Sequence, residues 1–120
     1  MSAIPSTFAD FIDDGYTESA TIDAVDGVNG ELAITYRPAM PEQVGKLLDS
    51  AGSDEKYLTT AIDLLGQPTN GLLTGWTLKK ASGEVVKIDR ASIARVRRPL
   101  LLKIIERVFF QSEAAKSLKN

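Results

Sequence analysis

The strongest constraint on this chain's fold is a period-two alternation of apolar and polar side chains that occurs twice between residues 19 and 37. The apolar members of the two runs are Ala20, Ile22 and Ala24, then Leu32, Ile34 and Tyr36. A period of two places such side chains on one face of a strand. The intervening segment 26–30 contains two glycines that can adopt the positive φ angles of a tight turn. These residues predict a β-hairpin with one buried face.

Two helices are predicted after this hairpin. Pro41 suits the first position of a helix, where its missing N–H has no intrahelical partner, and Gly52 is expected to end that helix. Ser53 is a candidate N-cap for the second helix, which Gly66 should terminate. The apolar stripes are Val44, Leu47, Leu48 and Ala51 in the first helix, and Tyr57, Leu58, Ala61, Ile62 and Leu65 in the second.

The C-terminal half repeats the order of hairpin and helices. Alternation in segments 75–79 and 86–88, with a turn at 81–83, predicts a second hairpin. Asp89 is a candidate N-cap of a short helix, and Pro99 should end that helix and open the last one. The last helix carries its apolar stripe at i, i+3, i+4 and i+7, on Leu101, Ile104, Ile105 and Val108.

Together these elements predict an α+β fold, with two β-hairpins and about four short-to-medium helices in a single compact domain. A chain of 120 residues is close to the usual size of one domain. We expect a partly ordered N-terminal arm over residues 1–18, with one short helical turn docked by its aromatic side chains. The domain should span 19–110, and a polar C-terminal tail should occupy 111–120.

The composition removes several classes of chemistry. The chain contains no Cys and no His, which excludes thiol nucleophiles, imidazole acid-base catalysis, disulfides and the usual zinc sites. No apolar stretch approaches the roughly 18 residues of a membrane span, and the first residues lack the pattern of a signal peptide. We therefore expect a cytoplasmic protein that does not enter membranes.

The remaining motifs do not indicate catalysis. The acidic residues of the 23–31 segment lack the spacing of a calcium-binding EF-hand loop, so solvated turn residues explain them better. Segment 66–71 has glycines at both ends but lacks the Lys and Ser or Thr of a phosphate-binding loop. Ser53 and Lys56 have the spacing of a serine–lysine pair, which helix capping explains. We expect no enzyme activity, no cofactor and no bound metal.

Charge is distributed unevenly along the chain. Acidic residues occur throughout segment 1–36, which has no Lys or Arg, whereas segment 67–120 is rich in both. The net charge is only −2. This asymmetry favours attraction between the two ends, within one chain or between copies, over a strongly charged partner.

The C-terminal region 95–110 holds the candidate partner-binding residues. Its apolar side chains exceed what one helix stripe needs, so this helix is either the central core helix or a surface for self-association or a partner. The basic run also permits a small nucleic-acid-binding regulator that uses residues Arg90–Arg107 to contact phosphates, although helical turns scatter these side chains. The candidate residues are Leu101, Leu102, Ile105, Phe109, Phe110, Arg95 and Arg98.

Two segments resemble the small tail assembly chaperones of long-tailed bacteriophages. The first is Ile34–Glu42, in which a strand runs into a Tyr-Arg-Pro turn and a helix. The second is Gly75–Asp89, in which a strand with Trp76 is followed by a glycine turn and a Val-x-Ile strand. A short helix and the sequence Pro-Leu-Leu-Leu-Lys-Ile-Ile follow this segment.

This resemblance implies a non-enzymatic role. Such chaperones coat the phage tape measure protein, recruit tail tube protein and leave before the particle matures, which also implies a homo-oligomer. Several members are mostly helical, whereas two hairpins are predicted here, so no binding residue is carried over. The alternatives from the residues alone are a structural phage connector or tail protein, and the nucleic-acid-binding regulator.

Overall fold

The computed structural model of the protein describes residues 11–110, so most of the predicted N-terminal arm and the whole C-terminal tail lie outside the described residues. Three strands and four helices occur in the described part. The strands are β1 (Glu18–Ile22), β2 (Leu32–Tyr36) and β3 (Leu73–Trp76). The helices are α1 (Pro41–Asp49), α2 (Asp54–Leu65), α3 (Arg90–Ile93) and α4 (Arg98–Ile105), and α4 continues into a π-helical segment at Glu106–Phe110.

The strands form one antiparallel sheet in the order β1-β2-β3. β1 and β2 pair without interruption from Glu18 opposite Tyr36 to Ile22 opposite Leu32. The β2–β3 pairing contains a bulge. The side chains of Leu32, Ile34 and Tyr36 point into the core, as the period-two pattern predicts.

The α+β fold class is confirmed, and the first hairpin forms, although β1 ends at Ile22, so that Ala24 lies outside the strand and is exposed. The second hairpin is shorter than predicted, because the strand that contains Trp76 pairs with β2 instead of continuing to residue 79. Beyond it, the only ladder contact within residues 77–110 is an isolated bridge between Lys79 and Val85. Hydrogen bonds from Val86 N to Leu78 O and from Lys80 N to Glu84 O, each 2.8 Å long, close this small hairpin.

The helix boundaries follow the predicted caps at most ends, but α1 is shorter than predicted, and α3 ends at Ile93, well before the predicted stop at Pro99. The Ser53 hydroxyl accepts a hydrogen bond from the Lys56 backbone N–H, as expected for the N-cap of α2. The first helix ends at Asp49, before the predicted stop at Gly52, and the Ser50 hydroxyl donates to the Leu47 carbonyl at 2.6 Å. Leu48, predicted on the core face, is exposed. No helix within residues 11–110 has the length and apolar character that crossing a membrane requires.

The core lies between the sheet, α1, α2 and the C-terminal helix. Every residue in it is apolar or aromatic, and the described part of the chain buries no charged side chain. Its fully buried large side chains are Tyr36, Leu32, Ile34, Leu47, Leu65, Ile93, Ile104, Ile105 and Val108. The C-terminal helix therefore supplies the central core element.

A single methyl group at Gly71 should destabilise this fold. A Cβ atom there would lie 2.7 Å from the Gln67 carbonyl oxygen and 2.9 Å from that of Leu65, which are backbone atoms that cannot rotate away. We expect Gly71→Ala to lower the free energy of unfolding by about 1–3 kcal/mol, as overpacking commonly does. Urea denaturation followed by circular dichroism measures this change.

Gly45→Ala is the matched control, because Gly45 lies within α1 and a Cβ atom there meets no atom within 4 Å. Since glycine is a poor helix former, this change should stabilise the protein by about 0.5–1 kcal/mol. Equal effects of the two substitutions would contradict the close packing after α2.

Candidate partner-binding groove

A groove of about 1180 Å³ lies between three segments of the described chain that are distant in sequence. One wall is the loop between β1 and β2, the second is the 78–86 hairpin, and the third is the region from α3 to the start of α4. The groove is lined by Ala24, Val25, Asp26, Gly27, Val28, Asn29, Gly30, Leu78, Lys79, Lys80, Ala81, Val86, Ser92, Arg95, Val96, Arg97 and Leu100.

The β1–β2 loop is held in place largely by Asn29. Its backbone carbonyl and N–H both bond to Val25, at 2.9 and 3.0 Å, and Gly27 adopts a φ of 75° at the tip. The Asn29 side-chain amide donates to the carbonyls of Asp23 and Gly30. Its side-chain oxygen accepts a 2.7 Å hydrogen bond from Lys103 of α4. The loop is thus fixed to the C-terminal helix.

This arrangement leaves Val25 and Val28 as apolar contacts for a ligand. Both valines line the groove, and both are exposed. A turn of solvated polar residues, the interpretation of segment 23–31 from the sequence, does not account for two exposed valines. Exposed apolar residues beside a concavity instead provide surface that a partner can bury.

The second wall depends on Trp76, the last residue of β3. Its indole Nε1 donates a 2.7 Å hydrogen bond to the Val86 carbonyl, which ties the small hairpin to the sheet. Gly83 adopts a φ of 94°, the left-handed conformation that a tight turn requires. Lys79 and Lys80 then lie at the groove, and Lys80 forms an exposed ion pair with Glu84 at 3.6 Å.

The third wall is set by the N-cap of α3. The Asp89 carboxylate accepts a 2.8 Å hydrogen bond from the Ser92 backbone N–H, and the Ser92 hydroxyl also bonds to it. These two bonds hold the pKa of Asp89 below its usual value, and nearby Lys87 adds a smaller effect. The cap fixes the helix that leads into Arg95 and Arg97, and both arginines line the groove.

The groove is therefore strongly basic at its rim. Four cationic side chains line it, at Lys79, Lys80, Arg95 and Arg97, against the single carboxylate of Asp26. All four are exposed, so they keep their hydration until a ligand approaches. A groove with apolar contacts and a basic rim suits a partner segment that carries both apolar and acidic side chains.

Two other groups with shifted pKa values lie outside the groove, and packing explains both shifts. Burial raises the pKa of Tyr36, whose hydroxyl donates to Glu18 Oε1 at 3.1 Å. Burial, with the nearby Glu106 carboxylate, also raises the pKa of Tyr57. Acidic side chains do not gather in any group of three or more that could hold a metal ion within residues 11–110.

The predicted partner-binding residues separate into different environments. Leu101, Ile105 and Phe109 are at most 5% exposed, so they pack in the core and cannot meet a partner in the folded chain. Leu102 and Phe110 are each 39% exposed and lie on the outer side of the helix. The three buried residues agree with the alternative interpretation of this helix as a core element, and partner binding by Leu102 and Phe110 stays a prediction.

Phe109 follows Ile105 by four residues and Leu101 by eight, so it continues the same apolar face of the helix. It is buried together with Val108 in the π-helical segment Glu106–Phe110. Of the four apolar side chains outside the predicted stripe, Leu100 and Phe109 therefore belong to the core, whereas Leu102 and Phe110 are exposed.

The two predicted arginines also lie apart. Arg95 lines the groove. Arg98 contacts the Asp54 carboxylate at the start of α2, with an N···O distance of 3.2 Å, and does not line the groove. Of the groove residues, the sequence prediction missed Val25, Val28, Lys79 and Lys80. The excess of basic residues after residue 67 was a signal for the two lysines, and nothing in the sequence indicated the two valines.

Comparison with family models, curated proteins and solved structures found no match for this chain.

Proposed function

We propose that this protein is a non-enzymatic phage tail assembly chaperone that holds an apolar, acidic segment of the tape measure protein in the groove during tail assembly, and that it also meets tail tube protein. The groove is the observation that carries this proposal. It combines exposed valines with a basic rim, which together suit a protein segment better than a small polar substrate. The resemblance over Ile34–Glu42 and Gly75–Asp89 supplies the phage setting.

The physical basis of client binding is a combination of short-range and long-range forces. Burial of Val25 and Val28 against apolar client side chains gives a favourable contribution of about 25 cal/mol per Å² of apolar surface. The basic rim attracts acidic client residues and speeds their association. Such a groove would keep an otherwise insoluble helical segment in solution by covering its apolar side.

Coexpression with the tape measure protein of the same phage tests the proposal. The chaperone should increase the soluble fraction of tape measure fragments and copurify with them. A chain that leaves every such fragment insoluble, and copurifies with none, would contradict the proposal. Detection of the protein in purified virions would instead support the structural connector or tail protein.

A nucleic-acid-binding regulator remains the second candidate, because the same four cations could contact phosphates. Binding to duplex DNA should then weaken steeply with salt, since each neutralised phosphate releases counterions. A titration with a duplex of mixed sequence at several salt concentrations separates the two functions. We expect only weak binding at low salt.

A further inference from the structure

We infer that the free edge of β1 is a self-association site, at which a second copy of this chain pairs its own β1 antiparallel to form one continuous sheet across a two-fold axis. β1 is an edge strand, because within residues 11–110 it pairs only with β2. This surface is separate from the groove, so the inference can fail while the proposed function holds, and the reverse.

The hydrogen-bonding direction along β2 shows which backbone groups of β1 face outward. The Ala33 carbonyl accepts from Thr77 N–H, and Arg37 N–H donates to the Leu72 carbonyl, so the odd-numbered residues of β2 face β3. Its even-numbered residues then face β1, where Ile34 is opposite Ala20. The backbone groups alternate along a strand.

It follows that Glu18, Ala20 and Ile22 use their backbone groups inside the sheet. Ser19 and Thr21 lie between them, so their N–H and C=O groups point to the free edge. An unpaired edge of this kind is a template for another strand. Proteins usually block such edges with lysine, proline or a bulge, and β1 contains none of the three.

The edge of β1 is complementary to itself in one register. Only pairing centred on Ala20 places all of β1 opposite all of the second copy's β1. Ser19 of each copy then faces Thr21 of the other, and each such pair exchanges both of its N–H···O hydrogen bonds. Glu18 faces Ile22 of the second copy, so this register places no acid directly opposite another acid.

The acidic residues near β1 lead to a second expectation, which concerns the effect of salt on the dimer. Every charged side chain in segment 11–36 is acidic, including Asp13, Asp14, Glu18 and Asp23, and these outnumber Arg107, which lines one concavity together with β1. Association of two copies brings these segments together and opposes pairing over long range. Added salt screens that repulsion. The dimer should therefore strengthen as salt rises, whereas association driven by attraction between acidic and basic ends would weaken.

Cysteine cross-linking tests the register directly, because the chain has no native Cys. In the proposed dimer, Ala20 faces Ala20 of the second copy in a non-hydrogen-bonded pair, whose Cα atoms are about 4.5 Å apart. We expect Ala20→Cys to form a disulfide-linked dimer under mild oxidation. Thr21→Cys is the matched control, because two such residues lie beyond the roughly 7 Å limit for a disulfide. Equal cross-linking of the two variants, or none, would overturn the inference.

Thr21→Pro in the Ala20→Cys background provides the second test. The Thr21 N–H is not used inside the sheet, so proline should leave the fold intact while it removes an intermolecular donor from each copy. We expect cross-linking to fall at least about tenfold, a loss of the size that about 1.4 kcal/mol produces. An unchanged cross-linking rate in the folded variant would contradict the inference.

Amide hydrogen exchange of the unmodified protein gives a readout that no substitution can disturb. The amides of Ser19 and Thr21 should become more protected as protein concentration rises, and more so at about 0.15 M than at about 0.01 M salt. Exchange at these amides that is independent of concentration up to about millimolar protein would overturn the inference.

Discussion

The Ile105→Asp variant is expected to show no cooperative unfolding transition. Ile105 is 1% exposed in the centre of the core. Removal of a buried isoleucine side chain alone costs about 2–5 kcal/mol, and an unpaired buried carboxylate adds a further penalty. Since domains of this kind are stable by only about 5–15 kcal/mol, the combined loss should leave the chain largely unfolded. Thermal melting followed by far-ultraviolet circular dichroism measures this outcome.

Leu102→Asp is the matched control on the same helix, because Leu102 is 39% exposed. A surface change of this kind should alter the free energy of unfolding by about 1 kcal/mol or less. The comparison distinguishes a core helix from a partner-binding helix. A folded Ile105→Asp protein with a normal melting temperature would show that the C-terminal helix is a docking surface after all.

Trp76→Ala should have the second largest effect, because Trp76 serves both the core and the groove. The side chain is 8% exposed, and its indole holds the Val86 carbonyl. Truncation of a buried tryptophan costs about 3–5 kcal/mol. We also expect weaker client binding, since Val86 and the adjacent Lys79 and Lys80 would no longer be held at the groove. Chemical denaturation and client copurification measure the two effects.

Trp76→Phe separates the hydrogen bond from the packing. Phenylalanine retains most of the apolar contact but leaves the Val86 carbonyl without its donor, at a cost of about 1–3 kcal/mol. This variant should fold and should bind client less well than the unmodified protein. A loss of less than about 1 kcal/mol in Trp76→Ala would contradict the role given to this residue.

The local elements of this fold could be predicted because each depends on neighbouring residues. The period-two pattern around the first turn identified β1 and β2, and Ser53 and Asp89 marked the starts of α2 and α3 through their side-chain oxygens. Pro99 marked the start of α4 because a proline fits only the first turn of a helix. None of these signals requires knowledge of the tertiary structure.

The groove could not be predicted in the same way, because its walls meet only after folding. The Lys103–Asn29 hydrogen bond joins residues that are 74 positions apart, and nothing in either local sequence indicates that contact. The pairing of Trp76 with Ile34 also shortened the second hairpin, since alternation alone does not reveal which strand is the partner. Likewise, an apolar surplus does not distinguish Phe109 in the core from Phe110 at the surface.

Reversal of charge in the groove tests whether this surface binds the client. The Lys79→Glu/Arg95→Glu variant changes two cations that line the groove. The control, Arg90→Glu/Arg98→Glu, changes the net charge equally at residues that pair with Asp63 and Asp54 outside the groove. Both doubles should fold, because exposed ion pairs contribute only about 0–1 kcal/mol each.

Copurification of coexpressed tape measure fragments with each variant is the measurement. We expect the unmodified protein and the Arg90/Arg98 control to retain the client, whereas the Lys79/Arg95 variant should lose at least about nine-tenths of it, equivalent to about 1.4 kcal/mol. Retention of client by the folded Lys79/Arg95 variant, or an equal loss in both doubles, would contradict the assignment of client binding to the groove.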